Sequence, residues 1–109
     1  MPIDLTADFD PGDADSGSYT HVGITAVQVR TEDKVIQFTT KYGTYPGSVF
    51  TPGVNIRGVT VKTFDVTGAD YDSIVAELCS STSAKVYDEV ARLLYEWLIS
   101  EGHFAGTVV

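Results

Sequence analysis

Between Ala84 and Glu101 the residues Val86, Val90, Leu93, Leu94, Trp97 and Leu98 recur at helical spacing and form one continuous apolar stripe. Water is a poor neighbour for such a stripe, so the rest of the chain must fold into a surface that covers it. Gly102 follows the last apolar position and is the expected stop in left-handed conformation. A shorter amphipathic segment comes before. Thr67-Gly68-Ala69-Asp70 reads as a capping-box-like start, with Asp replacing Glu or Gln. Tyr71, Ile74, Val75 and Leu78 then keep helical spacing to about Cys79, and Ser80-Ser81-Thr82-Ser83 breaks the run and offers N-caps for the next helix. The spacing predicts helices over about 68–79 and 83–101.

The first half of the chain is written for strands. His21 to Arg30, HVGITAVQVR, alternates Val22, Ile24 and Ala26 on one face before Val27 and Val29 take over the pattern. That change of phase predicts a bulge, or a strand apolar on both faces. Lys34 to Lys41 forms a second strand with Ile36 and Phe38 on one face, and Thr31-Glu32-Asp33 supplies the turn between the two. Val54 to Val66 reads as a third strand with Val59, Val61 and Thr63 on one face, interrupted at Gly58 by a bulge or a close backbone approach. Short turns between successive strands imply antiparallel pairing. The expected fold class is α+β: an antiparallel sheet of about three to five strands packed against two C-terminal amphipathic helices.

At 109 residues the chain fits one domain, able to bury roughly 65% of its unfolded surface. Residues 1–20 stand apart. They hold Pro2, Pro11, Gly12, Gly17 and five aspartates, and predict an extended acidic arm with Ile3, Leu5 and Phe9 as surface anchors. The domain proper is expected over 21–109, strand-rich over 21–66 and ending in a short tail over 102–109. That tail, with Phe104 and Gly106-Thr107-Val108-Val109, suits an edge strand or a contact with a partner. Tyr42 to Gly53 contains two Pro-Gly turns and three aromatics, Tyr42, Tyr45 and Phe50. These rings either fold back over the core or form a contact loop.

The net charge of −8 is unevenly divided. Residues 1–19 carry −5, residues 20–63 carry +3, and residues 64–109 carry −6. Five bases spread over the strand region do not make the concentrated basic face that phosphate neutralisation needs, which argues against nucleic acid as a partner. No stretch approaches the roughly 18 apolar residues of a membrane span. The N-terminus, Met1 to Leu5, lacks the basic and apolar regions of a signal peptide, so synthesis in the cytoplasm is expected. A single cysteine, Cys79, excludes an intramolecular disulfide and a cysteine metal cluster.

Chemistry is sparse. Asp8, Asp10, Asp13 and Asp15 miss the calcium-loop pattern whether it is started at Asp8 or at Asp13, because glycine and the bidentate glutamate fall at the wrong positions. No phosphate-binding, dinucleotide-binding or nucleophile-elbow motif occurs. Asp70, Asp72, Asp88 and Glu89 sit at helix starts, where the helix dipole accounts for them. No catalytic, cofactor-binding or metal residues are assigned. A small enzyme would require His21 or His103 to meet a carboxylate in a pocket.

In its general build (a small acidic chain, an extended arm, hairpins and no catalytic residues) the sequence resembles minor virion proteins of tailed bacteriophages. The resemblance covers overall organisation and assigns no role to single residues. It implies a structural protein of tail, baseplate or capsid that works through protein partners, by self-association or within a larger assembly, with neither nucleic acid nor membrane bound directly. The interface candidates are then Ile3, Leu5, Phe9, Tyr42, Tyr45, Phe50 and Phe104. A second expectation is a small acidic inhibitor or binding module, whose helix face (Asp72, Glu77, Asp88, Glu89, Glu96 and Glu101) mimics a nucleic acid toward a host protein.

Overall fold

The computed structural model describes residues 1–11, 18–53, 60–80 and 86–109. Its strands are β1 (Ile3–Phe9), β2 (Tyr19–Arg30), β3 (Val35–Thr44), β4 (Thr51–Pro52), β5 (Val61–Thr67) and β6 (Gly106–Val108). The helices are α1 (Gly68–Ser80) and α2 (Val86–Ser100), and a short 3-10 turn spans Pro46–Ser48. The six described strands form one antiparallel sheet, more than the three to five expected, because Ile3–Phe9 and Gly106–Val108 join it as strands. One side of β3 pairs with β2, and the other side pairs with β5 along Val35–Lys41 and with β4 at Gly43–Thr44. Beyond β2 come β1 and then β6 at the edge.

The α+β class and the C-terminal helices follow the sequence expectation. The acidic arm does not. Residues 3–9 are a strand inside the sheet, paired with β2 on one side and β6 on the other. Ile3-Asp4-Leu5-Thr6-Ala7-Asp8-Phe9 in fact alternates apolar and polar residues at the period of a strand. Ile3 is completely buried, Thr6 N–H donates to Ala105 C=O at 2.9 Å, and Val109 N–H donates to Pro2 C=O at 3.0 Å. The C-terminal tail therefore closes over the N-terminal strand. Of the expected arm's other acids, Asp10 follows the strand, and Asp13 and Asp15 lie outside the described residues.

The helix bounds depart from the spacing by a few residues, with 81–85 outside the described residues. Gly102 takes the left-handed conformation (φ 76°), His103 N–H donates to Leu98 C=O at 3.0 Å, and Gly102 N–H donates to Ile99 C=O at 3.1 Å. Together these two bonds make a Schellman stop, which satisfies carbonyls the helix end would leave open. Of the expected third strand, Val54 to Val66, residues 54–59, Gly58 and Val59 among them, lie outside the described residues, and β5 runs from Val61. Val61 and Thr63 share the outer face, while Phe64 and Val66 point inward.

One face of the sheet carries the core. Register places Val66 and Phe64 beside Ile36 and Phe38, and Val22 beside Tyr42 and Ile3. Over them lie Tyr71 and Ile74 of α1 and Leu93, Leu94 and Leu98 of α2, all buried. Each such side chain stabilises the fold by about 1.5–3 kcal/mol. The β2–β3 register slips by one residue between Ile24 and Ala26, leaving Thr25 without an opposite partner. The bulge expected from the change of phase is thus present. Because of it Val27 and Val29 pair with Phe38 and Ile36, on the same face as Val22 and Ile24.

Since β1 lies between two strands, Ile3→Ala should lower unfolding free energy by about 2–5 kcal/mol. Urea denaturation read by circular dichroism would show it. An arm residue would lose almost nothing.

Candidate functional site

The seven interface candidates divide by what their side chains already touch. Ile3, Tyr42 and Phe104 are buried inside the domain, so their apolar surface is used within the chain. Leu5 and Phe9 are half-buried and join Tyr42 and Phe104 around a shallow concavity of about 310 Å3 at the end of β1. There Phe9 stacks on Tyr42 with centroids 3.8 Å apart, and Phe104 meets the Tyr42 ring edge-on at 5.7 Å. The Lys62 ammonium stands 5.7 Å and 5.6 Å from those two ring centroids, within cation–π range. Tyr45 and Phe50 are placed elsewhere. Tyr45 meets His21 edge-on at 5.3 Å, and the Phe50 ring lies over Gly23, where an added Cβ would stand 2.5 Å from it. The turn-loop aromatics have folded back over the hairpin.

His21 does meet a carboxylate. Thr20 Oγ1 lies 2.6 Å from its Nδ1, and Asp4 Oδ1 lies 3.7 Å from its Nε2. Asp4 and His21 are directly opposed residues of β1 and β2, and Asp4 is more than half exposed. A separation of 3.7 Å exceeds hydrogen-bond range, and His21 lines neither concavity described here. This is a cross-strand pair on the outer face. His103 leans instead on Phe64 and Trp97, with ring centroids at 4.8 Å and 5.3 Å. Among the described residues no three His, Cys, Asp or Glu side chains gather in a metal-binding group. No described helix is long and apolar enough to cross a membrane.

One open edge of the sheet, beside an apolar groove, lies at β2. Its first part is covered by β1, up to the pairing of Val22 with Ile3. At the next inward position Ile24 N–H donates to the Tyr95 hydroxyl at 2.8 Å, so α2 caps the strand edge there. From Ala26 to Arg30 the edge opposite β3 has no ladder partner among the described residues. Alternate backbone donors and acceptors of an antiparallel strand point to such an edge. Beside it Val27 and Val29 are 43% and 48% exposed although they sit on the inner face. With Ile24, Thr25, Ala26, Val90 and Ala91 they line an apolar groove of about 380 Å3 between β2 and α2.

No residue of this groove is among the seven candidates. The available signal was the apolar run past the bulge. Val27 and Val29 continue the inner-face pattern toward the hairpin tip, beyond the point where β1 stops. No family model, curated protein or solved structure matches the chain.

Tyr95 pins this edge: its ring is buried and its hydroxyl accepts from Ile24 N–H. Burial raises its pKa above the ordinary tyrosine value and the neighbouring Tyr45 raises it further, while the Ile24 bond pulls it down. Burial likewise raises that of Tyr42. Both phenols stay neutral in the fold at a pH where the unfolded chain ionises. Their contribution is therefore complete below about pH 10 and is lost as pH rises through the folded values. Stability should decline on the alkaline side in a urea titration repeated across pH. Tyr95→Phe should cost about 1 kcal/mol near neutrality and show a shallower alkaline decline.

Proposed function

We propose that this chain is a non-catalytic assembly protein that acts through protein–protein contacts made at the open edge of β2. The supporting observation is the coincidence, over Ala26–Arg30, of a strand edge that has no ladder partner among the described residues with an exposed apolar groove. Natural sheets usually blunt such edges with charge, proline or a covering segment, because a bare edge recruits another strand. Here the only charge between Ala26 and Arg30 is Arg30 itself. Strand addition gains backbone hydrogen bonds at the edge and side-chain selectivity in the groove.

A virion role in a tailed bacteriophage is part of this proposal. It rests on the small acidic chain and its hairpins, and the arm that also suggested it is a sheet strand over residues 3–9. The acidic-mimic reading gains no support from the helix face. Arg92 donates to Glu89 and, at 3.0 Å, to Glu96, so two of that face's six carboxylates share one guanidinium and together keep a single net negative charge.

The test is native size. Expressed with a tag in the cell that makes it, the chain should fractionate within a larger assembly. Val27→Lys, which places a charge on the edge at a position already 43% exposed, should leave that assembly and retain its circular dichroism spectrum. An unchanged size distribution for the folded variant would overturn the proposal.

A further inference from the structure

Resting on that reading, we infer that the partner at the β2 edge is a second copy of this chain, joined by antiparallel β2–β2 pairing about a two-fold axis at Gln28. Directly opposed residues in an antiparallel pair point to the same side of the sheet. Centring the axis on Gln28 therefore sets Val27 of one copy against Val29 of the other, twice. Ala26 then faces Arg30, and Gln28 faces itself. Every apolar inner-face residue of the exposed run meets an apolar one, and no charge meets a like charge.

The apolar groove receives those same side chains. Val27 and Val29 of the second copy enter the space between β2 and α2, against Val90 and Ala91. An isologous contact of this kind closes on itself as a dimer.

Charge selects this face for self-contact. The chain carries −8, so two copies repel over most of their surfaces. The hairpin from Tyr19 to Thr44 is different. It holds Arg30, Lys34 and Lys41 against Glu32 and Asp33, a balance of +1. At the hairpin edge two copies meet through strands of small net charge, against −8 for each whole chain. Five residues pair on each side, about 17 Å of strand. An interface of that length belongs with the small, weak class, and dissociation in the micromolar range is expected.

The experiment uses the purified full chain. Sedimentation equilibrium over a wide concentration range should show reversible dimerisation that weakens with dilution. Val27→Lys should reduce dimer affinity by at least about tenfold, or about 1.4 kcal/mol, and remain folded. The register is tested separately in a Cys79→Ser background, because Cys79 is exposed. Gln28→Cys there should form an interchain disulfide on mild oxidation, since opposed Cβ atoms lie about 4.5–5.5 Å apart. Thr63→Cys, on β5 and away from the edge, should not. A chain that stays monomeric throughout, a Val27→Lys variant that dimerises as well as the parent, or cross-linking equal at both cysteines would each overturn the inference. A monomeric pure chain that still enters a larger cellular assembly through Val27 would overturn the dimer alone and leave the assembly proposal standing.

Discussion

The fold depends on one burial event, the seating of the α2 stripe on the inner face of the sheet. Leu94 and Leu98 are completely withdrawn from water, and so are Ile3, Ile36 and Val66, with Phe38 and Val22 nearly so. Neither layer has another way to hide these groups. A lone helix of 15 residues is marginal in water, and an uncovered sheet face would expose a broad apolar patch. The N-terminal strand and the C-terminal tail are drawn into the same event. Ile3 supplies part of the floor under α2, and the Schellman turn at Gly102 redirects the chain so that β6 can pair with β1. The two ends of the sequence thus meet beside the longest helix.

Much of this was legible because the signals are local. Helical spacing over 86–98, the glycine stop, the Thr31-Glu32-Asp33 turn and the phase change near Ala26 each state their structure within a few residues. What escaped was masked or distant. The period-two alternation of Ile3 to Phe9 lies under a density of aspartates that resembles an exposed leader. Its pairing with β6 brings together residues about a hundred positions apart, and no periodicity reports such a distance. The same holds for Tyr42 and Phe104. As isolated aromatics they fit a contact surface, and only the tertiary arrangement, with Phe9 stacked on one and Lys62 over both, makes them interior.

The open edge escaped for a related reason. Sequence pattern shows which residues want burial and does not show where coverage ends. In β2 the apolar run extends past both the last β1 pairing and the Tyr95 hydroxyl. The groove is the difference between the length of that run and the length of its cover. A fold that left Val27 and Val29 half in water with no use for them would carry a cost in solubility that one surface lysine removes. Their exposure beside an edge whose only charge is Arg30 gives the proposed contact its physical basis.

The bulge at Thr25 also changes how the strand must be read. It acts as a frameshift in side-chain direction. Before it, odd-numbered residues such as His21 and Gly23 face outward; after it, odd-numbered Val27 and Val29 face inward. A single odd–even rule laid along β2 assigns half the strand to the wrong side. A cysteine or charge scan of this strand therefore has two frames, divided at Thr25, and one extra residue decides which layer of the protein each substitution reaches.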